Sequence, residues 1–188
     1  MGTYCGGSVN DSNIRILELQ ALDSRALAWY AALHPTLRYS TETVSTFSRL
    51  DSAPAFVFIH ALYHACLALL YYSLVLSISA NPQSTSVASI SLLTSSALEH
   101  ANSVSSIIRD LFAIKWDITR TPAFLGYAAY VASTVQLSYL WSQSSELAAS
   151  AKSNIVMNLK LMRTLGPYWA VVEQVVCPLS HSLLTDSL

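Results

Sequence analysis

The sequence predicts an all-α array of about six packed helices, one or two of them fully apolar and central, and three observations carry that prediction. Apolar residues recur at alternating spacings of three and four along most of the chain, no segment alternates apolar and polar residues as a strand would, and proline or glycine punctuates the pattern at helix-length intervals. The composition agrees. The 188 residues suit one hydrophobic core. Of these, 53% are hydrophobic and only 11% charged, against about 25% charged in ordinary domains. Disorder and a polyelectrolyte tail are thereby excluded.

Residues 1–12 are expected to be an extended or disordered segment, and 13–188 one helical domain. In the first helix Leu19, Leu22, Ala26, Trp29 and Leu33 share a stripe, with Arg15, Glu18 and Arg25 left to solvent; it ends near His34-Pro35. Residues 40–52 are rich in Ser and Thr with weak periodicity and read as a loop. Pro54 then stands where proline opens a helix without losing a useful N–H. From Ala55 to Ala80 no residue is charged and apolar side chains fall on every face, until Asn81-Pro82 stops the run. The next helix is regular, with Val87, Ile90, Leu93, Ala97, Ala101, Val104, Ile108 and Leu111 on one stripe and Glu99, Asn102, Arg109 and Asp110 on the other face. Thr121-Pro122 reads as a second cap-plus-proline start, opening an uncharged segment to about Trp141. Leu147, Ala151, Ile155, Leu159, Met162 and Leu165 form the fifth stripe, with Glu146 at its start and Lys160 and Arg163 in its last turn, each sign where the helix dipole favours it. Gly166-Pro167 separates a last helix with Trp169, Val172, Val176 and Leu183 inward and a kink at Pro178.

Little in this pattern resembles catalytic chemistry, and the chain is expected not to be an enzyme. His60 and His64 stand four apart, as zinc-binding pairs do, but lack a third ligand, so they read as core histidines with hydrogen-bond partners. Cys66 lies within the apolar helix and reads as a small buried hydrophobe. No GxSxG elbow and no Gly-rich phosphate loop is present, and Asp110 and Asp117 read as solvated acids. Cys5, Cys66 and Cys177 are too few and too dispersed for a disulfide framework or a zinc cluster. Net charge is -1 with no basic run, so no direct contact with nucleic acid is expected. The first residues carry no signal-peptide pattern.

Taken in order, several segments resemble the fungal-specific transcription factor domain, the helical middle region of regulators that bind DNA through a binuclear zinc cluster. Leu27-Ala-Trp29 to Leu33-His-Pro35 is similar to the family's tryptophan helix ending in Leu-Pro. Tyr63-His64 before a leucine-rich stretch is similar to its central helix. Ala97 to Ile108 has the spacing of the following small-residue helix, Pro122-Ala-Phe124 is similar to the Pro-Phe segment, and Leu165 to Trp169 to the closing motif. The resemblance covers roughly residues 14–185. It departs in two places: Tyr71-Tyr72-Ser73 stands where many members have His-Arg-Pro, and the zinc cluster is absent.

What the resemblance implies is the C-terminal part of a regulatory domain, nuclear, acting through protein partners of the transcription machinery or a small-molecule effector, without cofactor, metal or DNA contact. Its structural motif residues would be Trp29, Pro35, Tyr63, His64, Pro122, Phe124 and Trp169, with Trp29 and Trp169 expected in the core. The alternative is an integral membrane protein with spans near 55–80 and 122–141, each long enough for a hydrocarbon core of ~30 Å. A helical hydrophobe carrier with Tyr and Trp around a cavity is a third reading.

Overall fold

The computed structural model describes residues 8–50, 52–79 and 87–174, and every regular element in them is helical. The chain divides into two compact units, Met1–Arg38 and Tyr39–Leu188, where the sequence reads as one domain from residue 13.

The first unit is α1, Ser8–Ala32, followed by a single 3-10 turn, Pro35–Leu37. Residues 8–12 are therefore helical rather than extended; residues 1–7 lie outside the described residues. The end of α1 is closed by Arg38, whose guanidinium donates to the carbonyls of Leu33 at 3.2 Å and Ala31 at 3.0 Å. Leu19, Ala26 and Leu33 are half-buried. Leu22 and Trp29, on the same stripe, are 53% and 43% exposed. Trp29 is thus not a core residue; its ring lies 6.3 Å from that of Tyr30, at 59°.

The second unit opens with α2, Thr41–Arg49, where a loop was expected. A reciprocal cap starts it. The Ser40 hydroxyl accepts from the Thr43 N–H at 3.1 Å, and the Thr43 hydroxyl accepts from the Ser40 N–H at 2.9 Å. Val44 and Phe47, three apart, turn inward, and Phe47 stacks on Phe56 at 4.3 Å. Just before α2, the Tyr39 hydroxyl donates to Asp110 Oδ2 at 3.0 Å, so that acid is paired rather than simply solvated.

The long helices α3, Ala53–Ser79, and α4, Val87–Ala113, pack along each other. Ala61 and Ala65 of α3 and Ala97 and Ala101 of α4 belong to the buried core. The α4 stripe is as expected from Ala97 onward: Ala97, Ala101, Val104, Ile108 and Leu111 are buried. α3 is apolar all round yet buried on one side only, which puts Cys66 on the outside instead of in the core.

α5, Phe124–Leu137, is shorter than the expected segment and is buried on most sides. Thr121 does not cap it; its hydroxyl donates to the Ile118 carbonyl at 2.6 Å and finishes the 3-10 turn Ile118–Arg120. Residues 138–141 form turns, so α5 has 14 residues, about 21 Å of helix. α6, Ser145–Leu165, starts at the Ser144 cap and places Ala151, Ile155, Leu159, Met162 and Leu165 in the core. After a turn at 166–168, residues 170–174 are helical again. Val172 is buried against Gly126, where a Cβ would lie 2.8 Å from a Val172 methyl, so only glycine fits at that contact. Trp169 instead sits in the turn, its N–H shared between the Leu165 and Gly166 carbonyls, and is 42% exposed rather than buried. Val176, Cys177, Pro178 and Leu183 fall outside the described residues.

Candidate functional site

Two polar clusters interrupt the apolar core of the second unit. The first joins α3 to α4. His64 and His100 meet through their Nδ1 atoms at 2.9 Å, one ring donating its N–H and the other accepting. Tyr71 stacks on His100 at 5.7 Å, 4° from parallel, and Tyr63 stands edge-on to both imidazoles. The accepting ring must be neutral. Burial holds His64 in that form, lowering its pKa to about 3, with the neighbouring imidazoles of His100 and His60 pushing the same way. With His64 held neutral, the bond ties α3 to α4 without a charge on that ring.

His60, one turn before His64, lies near enough to act on it electrostatically. Its ring is buried in a different aromatic group, 4.6 Å from Phe56 and 5.5 Å from Tyr39. The i, i+4 spacing thus places His60 among Phe56 and Tyr39 and His64 beside His100. Among the described residues no three His, Cys, Asp or Glu side chains converge as a metal site would require.

The second cluster is an amide network across α4, α5 and α6. Asn102 Oδ1 accepts from Gln136 Nε2 at 3.1 Å and from Asn154 Nδ2 at 3.0 Å. Gln136 Nε2 also donates to Ser105 Oγ at 3.0 Å, while its Oε1 accepts from Asn158 Nδ2 at 3.2 Å. Asn158 Nδ2 reaches Ser133 Oγ as well, and Arg109 donates to Asn154 Oδ1 at 2.6 Å. Ser105, Ser133, Gln136 and Asn158 have no solvent exposure. Each amide is an acceptor and a donor at fixed angles, so the network specifies how three helices are rotated against one another. Within the network, Asn158 Oδ1 is buried without a hydrogen-bond partner among the described residues, as Trp116 Nε1 is elsewhere in the unit.

Of the residues singled out by the family resemblance, Tyr63 and His64 lie in the imidazole cluster. Phe124 stands edge-on to Phe58 of α3 at 5.3 Å, just after Pro122 enters α5, so it ties α5 to α3. Pro35 begins the 3-10 turn of the first unit, and Trp29 and Trp169 are surface residues. The amide network was missed by the sequence reading, although Asn102, Ser105 and Arg109, Ser133 and Gln136, and Asn154 and Asn158 are each spaced by three or four, the helical signature of a shared face.

A surface concavity is lined by Met162, Arg163, Gly166, Pro167 and Glu173, with no aromatic side chain among them. Comparison with known protein families, curated proteins and solved structures gives no match for this chain.

Proposed function

We propose that the chain is a regulatory helical domain of a fungal transcription factor, one that acts in the nucleus by binding a protein partner or small-molecule effector and does not itself contact DNA. The observation that carries this reading is an exposed apolar stripe on α1. Leu22 and Trp29, seven residues apart on one face of that helix, are 53% and 43% exposed. Exposed large apolar side chains at helical spacing fit the groove of a partner. The ordered motifs from Trp29 to Trp169 support the family assignment. A net charge of -1 supports the absence of DNA contact, because phosphate binding needs concentrated positive charge.

The test is a fusion of the chain to a heterologous DNA-binding module and activation segment, read by a reporter in fungal cells. The regulatory reading expects output to change by roughly five-fold or more, and the double variant Leu22→Asp, Trp29→Asp to abolish the change. Equal output with and without the chain overturns it.

One observation favours the membrane alternative. α3 has 27 residues, no charge and a mean hydropathy of 1.8 over its most apolar window, enough to cross a bilayer by length and composition. Half of that window is buried inside the unit, and α5 is about 9 Å short of a ~30 Å hydrocarbon core. We expect the protein in the supernatant after alkaline carbonate extraction of cell membranes. A carbonate-resistant pellet replaces the regulatory reading with the membrane one.

A further inference from the structure

The concavity at the end of α6 has a volume of about 460 Å³, within the range of small-molecule sites. Two opposite charges line it, those of Arg163 and Glu173. Both side chains are exposed, and among the described residues neither forms an ion pair or a side-chain hydrogen bond, with the other or with any third residue.

A backbone group adds to the negative side. Pro167 has no N–H, so the carbonyl of Arg163, four residues earlier, loses the donor that a continuing helix would give it. The neighbouring N–H groups go elsewhere: that of Gly166 to the Met162 carbonyl at 2.8 Å, that of Tyr168 to Leu165 at 2.9 Å, and that of Trp169 to Leu165 and Gly166. Gly166 keeps this end of the helix uncovered. A Cβ there would stand 3.8 Å from the Arg163 carbonyl oxygen and 3.9 Å from Glu173 Cβ, so the carbonyl and the stem of Glu173 border one small space.

An ammonium group suits that space, where the Glu173 carboxylate, the Arg163 carbonyl and the negative end of the α6 dipole all favour a cation. A carboxylate suits the Arg163 guanidinium, whose planar fork meets both oxygens at once. The exposed ring of Pro167 gives the remaining wall an apolar character.

We propose that this concavity binds a free α-amino acid as its zwitterion, the carboxylate on Arg163, the ammonium on Glu173 and the Arg163 carbonyl, and an aliphatic side chain against Pro167.

The ligand class follows from the pairing of signs. Near neutral pH an α-amino acid carries both charges on adjacent groups. A simple amine or carboxylate satisfies one side of the site and leaves the other charge as it was. The concavity is open to water, which weakens each ion pair, so a ligand the size of leucine binds with a dissociation constant on the order of 1–10 mM. Every residue of the site belongs to the second unit, and the proposal stands whether or not α1 binds a partner.

The experiment records amide correlation spectra of the isotope-labelled full chain at pH 7 and constant ionic strength. L-leucine is titrated from about 0.1 to 50 mM, a range that brackets the expected affinity, beside isoamylamine, which is leucine without its carboxylate, and isocaproate, which is leucine without its amine. Leucine should shift the Gly166 and Glu173 amides saturably and bind at least ten-fold more tightly than either analogue. Arg163→Gln should reduce leucine to the affinity of isoamylamine, and Glu173→Gln should reduce it to that of isocaproate. Both side chains are exposed, so both variants should keep their helical circular dichroism and melting temperature. Spectra unchanged by leucine at the highest concentration overturn the proposal. So does equal binding of the three compounds, which needs no paired charges, and so does a folded variant of either residue that binds leucine as tightly as the parent chain.

Discussion

His64 is a side chain whose charge state the fold dictates, and the consequence is measurable in stability. In the unfolded chain it titrates near 6.5, whereas in the folded chain burial holds it to about 3. Between those values the unfolded state binds the extra proton, so stability is full above pH 6.5 and falls as the pH drops toward 3. Each pH unit in that window removes up to about 1.4 kcal/mol. Lowering the pH from 6.5 to 5 should therefore reduce unfolding free energy by up to about 2 kcal/mol, and His64→Gln, which keeps a hydrogen-bonding side chain without a proton to gain, should flatten the dependence. Urea titrations of both chains across this range decide it, and parallel slopes would remove His64 from the account. Trp29 and Trp169 make a second case at this scale. A buried tryptophan truncated to Ala costs about 3–5 kcal/mol. With over two-fifths of each side chain exposed, Trp29→Ala and Trp169→Ala are expected to cost about 1 kcal/mol each, close to the typical single substitution, as read from urea midpoints.

At the scale of elements, the core tests how far apolar spacing determines a helix and where it fails. The α4 stripe and the α6 stripe were legible because both helices are buried on one side, which leaves a periodic record in the sequence. α2 left no such record. Only Val44 and Phe47 mark its inner face, and its start depends on a Ser40–Thr43 cap rather than the familiar Ser/Thr to Glu pair. On α1 the same spacing misled, since a stripe shows which residues lie together and not whether another element covers them. The amide network was illegible for a related reason: Asn102 beside Glu99 and Arg109 looks like a solvated face until α5 and α6 supply Gln136 and Asn154. Gln136 is the joint of that network, bonded to Asn102, Ser105 and Asn158. Gln136→Ala would leave a cavity and strip a partner from each of the three, and should cost about 3–5 kcal/mol in thermal or chemical unfolding. A loss under 1 kcal/mol would mean that the network orients the helices without stabilising them, as buried polar groups sometimes do.

For the whole molecule, the division after Arg38 implies that one part can stand without the other. Among the described residues, the buried core from Val44 to Val172 and both polar clusters lie in the second unit. The first has one long helix with no buried residue among those described, so it contributes little of the apolar burial that drives folding. Its removal should leave the second unit's cooperativity intact, because the Tyr39–Asp110 bond and the α2 cap, the first ties of the second unit, both begin after residue 38. The fragment 39–188 is expected to unfold in one transition with a midpoint within a few degrees of the full chain, since a loss below about 1 kcal/mol moves a domain of 150–250 residues by only about 2–4 °C. In the reporter fusion the same fragment should lose the regulatory effect, because the exposed Leu22 and Trp29 go with α1. A fragment that melts early or without cooperativity would show that α1 completes the fold and that its open stripe is a structural face, which would take away the observation on which partner binding rests.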